Sequence, residues 1–174
     1  KLKAAIEKKE LPNLEFGQLK VFSVEQHLYQ PLISLEGKTS AIKVKPVALN
    51  EDEYQFVIDL KNYYEKNKEF FKDKELYLLR NQTRGRGIGF FEAGGFYPDF
   101  IIWILYNNKQ YITFADPKGI KYHSITDGKL NFYRTIKEME TKLNDKSIIL
   151  NSFIISNTLH ADLIDTGYKL SKEE

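Results

Sequence analysis

The 174-residue sequence is long enough for one domain with a sizeable core, and 42% of its residues are hydrophobic and 14% aromatic. The net charge of +2 excludes a binder of nucleic acid that acts through overall basicity, so any binding charge has to be arranged locally. The absence of cysteine excludes disulfides and thiolate sites, and no apolar run is long enough to span a membrane, which together favour a cytoplasmic protein.

The first 49 residues are expected to form a β extension that packs on the remainder, residues 50–174. Within the extension, residues 32–47 alternate between apolar and polar types across Glu36-Gly37-Lys38, a pattern that predicts a hairpin. The only methionine is Met139, so a chain that begins at Lys1 is expected to be a piece of a longer or processed polypeptide.

The second unit is predicted to open with an amphipathic helix. Phe56, Val57 and Leu60 recur at three- and four-residue spacing and give the helix one buried face, on which Glu53 also lies. Asn50 and Glu53 have the N-x-x-E spacing of a capping box, in which the glutamate returns to the backbone N–H of the N-cap residue. The spacing therefore makes a structural role, as part of the helix cap, one of the alternatives for Glu53.

A strand is predicted over residues 75–81, and a glycine-rich loop with Arg84 and Arg86 follows it. Glycines let a turn approach a ligand closely, and arginines can bind phosphate oxygens in a bidentate manner. We interpret the loop as a clamp on a DNA backbone, with Gln82 as a further candidate contact. The alternative is a flexible loop with solvated arginines.

Two apolar runs, Phe100 to Leu105 and Tyr111 to Ala115, flank a polar segment and predict a β-hairpin. Asparagine tolerates positive φ, so Asn107 and Asn108 are the expected loop residues.

This register places Asp99 directly opposite Asp116, and two like charges so placed are destabilising unless a cation or a proton lies between them. Strand periodicity puts Lys118 on the same face as Asp116. Two carboxylates suit Mg²⁺, or Mn²⁺ in its place, and a nearby lysine can orient or deprotonate an attacking water. The sequence thus predicts a hydrolytic divalent-metal site.

The last part of the chain is predicted to contain an amphipathic helix over residues 130–143, a buried strand over 148–155 and a short helix over 159–170. From residue 50 onward the order is helix-strand-strand-strand-helix-strand. The expected class is α/β (α+β), with a mixed central sheet flanked by helices.

The segments that carry the two aspartates and the lysine resemble a known family. Pro98-Asp99, sixteen intervening residues and Asp116-Pro117-Lys118 resemble the signature of the PD-(D/E)xK nuclease superfamily. Other (D/E)-x-K triplets occur, but only this one closes an apolar run, and the chain has no other Pro-Asp pair. Pro117 lacks an N–H for a strand ladder, so a strand end, an edge or a bulge is expected there. The alternative is that both aspartates are solvated residues at strand ends.

The resemblance implies a restriction-endonuclease-like core that hydrolyses double-stranded DNA with Mg²⁺. It also implies that Glu53, an acid on the first helix, completes the metal site. This role and the capping role are equal alternatives for Glu53. The segments HLYQPL and GFYPDFIIWI followed by DPKG further resemble the C-terminal endonuclease domain of type III restriction enzymes and related helicase-nucleases. That likeness implies an upstream helicase domain and a modification methyltransferase subunit as partners. The alternative function is a non-cleaving module that binds nucleic acid or docks a subunit.

Overall fold

The structure is a computed structural model that describes residues 14–16, 19–22, 32–35, 48–82, 87–90, 95–117 and 131–156. In the first 49 residues, strands β1 (Leu14–Phe16), β2 (Leu19–Phe22) and β3 (Leu32–Leu35) form an antiparallel sheet in that order. The expected β extension therefore contains strands. The second arm of the hairpin predicted across residues 36–38 lies outside the described residues, as does the helix predicted over 159–170.

From residue 48 onward, the described residues follow the predicted order of elements, with one additional short helix that was not predicted. The elements are α1 (Glu51–Lys66), α2 (Lys68–Phe71), β4 (Glu75–Arg80), β5 (Phe100–Tyr106), β6 (Lys109–Pro117), α3 (Phe132–Leu143) and β7 (Ile148–Ile155). The sheet has the order β4-β5-β6-β7, with β4, β5 and β6 antiparallel and β7 parallel to β6. This mixed sheet with flanking helices confirms the α+β class. The helices in this part of the chain are too short or too polar to cross a membrane.

The hairpin between β5 and β6 has the predicted turn. Asn107 and Asn108 have φ values of 49° and 57°, the positive values at both loop positions that a type I′ turn requires. The ladder accordingly runs from Tyr106 opposite Lys109 to Phe100 opposite Ala115 without interruption, which confirms the predicted register.

Alternation along the strands divides the apolar residues between two cores. Leu78, Phe100 and Ala115 lie buried on the face that α1 covers. The next residues along the strands, such as Ile101 and Phe114, lie on the opposite face under α3. Because the side-chain period of a strand is two, the face of a polar residue at a strand end follows from its apolar neighbours.

Helix α3 makes the crossover between the parallel strands β6 and β7 and is tied to β7 by a carboxylate. Glu140 Oε2 accepts a hydrogen bond of 2.6 Å from the backbone N–H of Leu150 and lies 2.9 Å from Lys137 Nζ. Lys137, and then this backbone N–H, hold the pKa of Glu140 below its usual value. The contact satisfies an N–H on the side of β7 that pairs with none of the strands described.

The expectation that β7 is buried is wrong on one face. The side chains of Phe153 and Ile155 are 56% and 39% exposed. They lie on the α1 side of the sheet, where the buried cluster is built from α1 and strands β4 to β6 and does not extend to β7. Within the described part of the chain, this long apolar run thus occurs in a strand with one neighbour, β6, and with cover from α3 on one face only.

The turn provides a test of the register. Replacing Asn108 with Val should lower the free energy of unfolding by about 1–2 kcal/mol, because a β-branched residue is strained at positive φ. Replacing Asn108 with Gly should leave stability equal or higher. Urea denaturation of both variants checks this, and equal stability of the Val and Gly variants would contradict the turn described here.

Candidate metal and nucleic-acid site at one end of the sheet

The candidate metal ligands lie where β5 begins and β6 ends. The ladder ends at the pair Phe100 and Ala115, and Asp99 and Asp116 are the residues that flank this last pair, Asp99 before β5 begins and Asp116 within β6. Asp116 is only 5% exposed, and Asp99 is half-buried. Pro117 is the last residue of β6 and keeps its register with Ile155 of β7, so the proline occupies a strand end and causes no slip before it. Lys118 lies outside the described residues.

Asn81, the residue after β4, fixes the backbone around Asp99. Its backbone N–H donates to the carbonyl oxygen of Asp99 at 2.7 Å, and its side-chain Nδ2 donates to the carbonyl oxygen of Pro98 at 2.8 Å. Pro98 is itself fully buried. The two carbonyls on either side of the Asp99 Cα are thus held by the single residue that follows the neighbouring strand.

The same asparagine closes the base of the arginine loop. Asn81 Nδ2 donates to the carbonyl oxygen of Ile88 at 2.8 Å, and the Ile88 N–H donates to Asn81 Oδ1 at 2.9 Å. Arg84 and Arg86 lie outside the described residues, and Gln82 is exposed beside the loop base. The loop therefore begins and ends beside Asp99, although contacts of Arg84, Arg86 and Gln82 with DNA stay predictions.

Two of the loop's glycines are required by packing within the chain. A Cβ atom on Gly87 would lie 1.9 Å from the carbonyl oxygen of Gln82, and one on Gly89 would lie 2.2 Å from Cε1 of Tyr97. Neither position has room for a side chain. The glycines were expected to allow close approach of a ligand. At these two positions they instead make room for the chain's own backbone and for Tyr97.

Glu53 forms the capping box that its spacing predicts. Its Oε2 accepts the Asn50 N–H at 2.9 Å, and Asn50 Oδ1 accepts the Glu53 N–H at 2.9 Å. Oε2 also lies 2.8 Å from a terminal guanidinium nitrogen of Arg80, and both side chains are only 10% exposed. The same Arg80 nitrogen donates to the carbonyl oxygen of Ala48 at 3.3 Å. The capping interpretation is confirmed, with a buried ion pair added to it.

The ion pair and the aspartates lie on different faces of the sheet. Arg80 is the register partner of Phe100 and lies on the α1 side, whereas Asp116 follows Phe114 by two residues on the α3 side. Within the described ranges, no group of three or more acidic or histidine side chains is placed to hold a metal ion. A part for Glu53 in a metal site stays a prediction.

Mg²⁺ at Asp99 and Asp116 stays a prediction. This ion binds hard oxygen ligands, keeps several of its waters and commonly takes one or two carboxylates from the protein together with substrate phosphates. Asp99 and Asp116 are carboxylates of the kind that this ion binds. A third protein carboxylate is not required by this chemistry.

Arg80 and Asn81 were not among the residues singled out from the sequence. Leu76, Leu78 and Arg80 alternate along β4, so Arg80 stands at a position whose predecessors face a core. A charged residue at such a position needs a buried partner, and the only acidic residue on the predicted buried face of α1 is Glu53. That pattern was sufficient to predict the pair. The hydrogen bonds of Asn81 could not be predicted in this way, because they depend on loop geometry that does not follow from the spacing of residues.

We compared the chain with protein-family models, with characterised proteins and with solved structures, and none of the three comparisons returned a match.

The buried ion pair gives a direct prediction. Glu53→Gln keeps a side chain that can cap α1 but leaves the Arg80 guanidinium buried without its counter-charge, and should lower the free energy of unfolding by about 3 kcal/mol. Arg80→Met should do the same. The double variant should lose about 1–3 kcal/mol less than the two single losses together. Chemical denaturation of the four proteins measures this, and additive losses would show that the pair does not interact.

Proposed function

We propose that the chain is a metal-dependent endonuclease domain with a restriction-endonuclease-like core, acting on double-stranded DNA. The observation that carries the proposal is the hairpin register, whose last pair, Phe100 and Ala115, is flanked by Asp99 and by the buried Asp116. The order of helices and strands and the Asp-Pro-Lys sequence at the end of β6 support it.

The proposed chemistry is hydrolysis of a phosphodiester by in-line attack of water. A P–O bond to the water oxygen forms, the P–O bond to the leaving sugar oxygen breaks, and the leaving oxygen receives a proton. When bound, Mg²⁺ or Mn²⁺ supplies charge stabilisation for the phosphate in the transition state. Asp99 and Asp116 hold the ion, and Lys118 orients the attacking water or accepts its proton.

The loop that contains Arg84 and Arg86 supplies the proposed contact with the DNA backbone. Asn81 binds the backbone of Ile88, after the loop, and that of Pro98, before Asp99. Arg84 and Arg86 bind phosphate oxygens, with Gln82 beside them, and bring the scissile phosphate to the two aspartates. Contacts of this kind position the duplex without reading its sequence.

A longer assembly is part of the proposal. An upstream helicase domain in the same polypeptide would translocate DNA, and a modification methyltransferase subunit would recognise the site, as in the type III restriction enzymes that the sequence resembles. The competing function is a non-cleaving nucleic-acid-binding or subunit-docking module. One observation favours it, namely that the Glu53 carboxylate is bound by Arg80 instead of joining the aspartates.

Cleavage distinguishes the two functions. Lys118→Ala should reduce nicking of supercoiled plasmid with Mg²⁺ or Mn²⁺ by about 100-fold or more, because a positioned acid or base typically contributes at least that much. DNA affinity should stay within a few-fold. Lys142→Ala is the matched control, since Lys142 closes another acid-x-Lys triplet and lies exposed on α3. If Lys118→Ala nicks DNA as fast as the parent, or if the parent does not nick at all, the nuclease proposal fails.

Metal binding has a readout that does not need activity. Mn²⁺ or Mg²⁺ at a hundredfold excess over Kd should stabilise the parent by about 2.7 kcal/mol, since a ligand of the native state alone adds RT ln(1 + [L]/Kd). Asp116→Asn should gain much less, and Asp59→Asn, a change at an exposed aspartate of α1, should gain as much as the parent. Thermal melts with and without metal measure this. An equal response of parent and Asp116→Asn would place the ion elsewhere.

A further inference from the structure

Strand β7 carries exposed apolar side chains beside an edge that no described strand covers. Phe153 and Ile155 are exposed on the α1 side of the sheet, and β6 is the only neighbour of β7 among the strands described. The strand contains no charged residue and no proline, which are common means of keeping an edge strand from pairing. An uncharged edge with exposed apolar side chains is a template for pairing with another strand.

The direction of the backbone groups at this edge follows from the hydrogen bond between Leu150 and Glu140. The Leu150 N–H donates to Glu140 Oε2 at 2.6 Å and therefore points away from β6. Backbone groups of alternate residues in a strand point to the same side, so those of Ser152 and Ile154 also point away from β6. The backbone groups of Phe153, which lies between them, point toward β6. The edge thus has two N–H groups and two carbonyls placed symmetrically about Phe153.

This pattern is complementary to an antiparallel copy of itself. When a second β7 lies against the first with Phe153 opposite Phe153, Ser152 of each copy lies opposite Ile154 of the other. Each of these two pairs can exchange both of its hydrogen bonds, so the outward backbone groups of both residues are satisfied. Phe153 then forms a non-hydrogen-bonded pair with its counterpart, the kind of pair in which side chains lie closest.

The side chains of β7 favour a second copy of this chain as the occupant of the edge. Because the strand is uncharged, the two-fold pairing brings no like charges together, whereas a charged partner strand would find no counter-charge on β7. The two Phe153 rings lie side by side in this arrangement, and Ile155 of each copy lies opposite Asn151 of the other. Both exposed apolar side chains are thus covered at once, and a two-fold contact closes on itself without leaving a further β7 edge.

We infer that two copies of the chain associate by antiparallel pairing of their β7 strands about a two-fold axis at Phe153. The two four-stranded sheets then form one continuous sheet, with the Phe153 pair on the face that also carries α1. Two exposed apolar side chains per copy cover less than the roughly 800 Å² per partner of a standard interface, so the dimer is weak and depends on concentration. Association of this kind does not depend on the proposed nuclease function.

Sedimentation equilibrium over a range of protein concentrations tests for the dimer. The 174-residue protein should show a monomer–dimer equilibrium with Kd below about 1 mM. Phe153→Lys should weaken dimerisation at least about tenfold, because it removes the aromatic pair and places two ammonium groups opposite each other. Phe70→Lys is the matched control, since Phe70 of α2 is 57% exposed against 56% for Phe153, and it should dimerise as the parent does. Circular dichroism checks that both variants are folded.

Disulfide trapping tests the register, because the chain has no cysteine of its own. Residues of a non-hydrogen-bonded pair have Cα atoms about 4.5 Å apart, a distance that a disulfide spans. Phe153→Cys should therefore form linked dimers at least about tenfold faster than the control Phe70→Cys under the same oxidant. Asn151→Cys and Ile155→Cys should cross-link to each other when mixed. Each should cross-link to itself more slowly, because its own counterpart lies four residues along the strand, about 13 Å away.

Four outcomes would show that β7 does not pair with a second copy. They are a parent that stays monomeric at all concentrations, a Phe153→Lys variant that dimerises as the parent does, Phe153→Cys that cross-links no faster than Phe70→Cys, and open-ended aggregates in place of a dimer. If the parent is monomeric and Phe153→Lys lowers the free energy of unfolding while Phe70→Lys does not, a segment of the same chain covers β7 instead.

Discussion

The two-residue turn at Asn107 and Asn108 determines which residues of β5 and β6 lie opposite each other, and the rest of the site depends on that pairing. Both residues have the positive φ that matches the twist of a hairpin. A slip by one residue would move every following side chain to the other face. Asp116 would then leave the face of the sheet on which Phe114 lies. Two asparagines at one end of the hairpin thus set the geometry at its other end.

The register can be kept because both faces of the hairpin are packed. Phe100 and Ala115 contribute to the core under α1, and Ile101 and Phe114 contribute to the core under α3. Phe90 reinforces the second core, with its ring centroid 4.8 Å from that of Phe114. A slipped hairpin would expose apolar residues on one face and bury polar residues on the other. The packing on both faces therefore destabilises the shifted registers that the turn alone would still allow.

Much of this arrangement could be predicted from the sequence because it depends on local periodicity. The order of elements, the turn at Asn107 and Asn108 and the capping box at Asn50 all follow from patterns within a few residues. The exposure of one face of β7 could not be predicted, because it depends on which helix extends over that strand. The apolar run of β7 looked like a buried strand, but periodicity does not reveal that α1 stops short of Phe153. Likewise, no spacing shows that the Asn81 side chain binds backbone groups at Ile88 and Pro98.

Arg80 and Asn81 are neighbours in sequence but act on opposite sides of the sheet. The Arg80 side chain binds Glu53 at the start of α1, and Asn81 binds the backbone at Pro98 and Asp99. A single peptide unit thus joins the cap of α1 to the segment that carries the first candidate metal ligand. The buried ion pair fixes the end of β4, and the end of β4 fixes Asp99 and the base of the arginine loop. Glu53 can therefore influence the site through position alone, without contact with a metal ion. A loss of activity on changing Glu53 would consequently identify it as a ligand only if the stability of the Arg80 pairing were measured in the same variant.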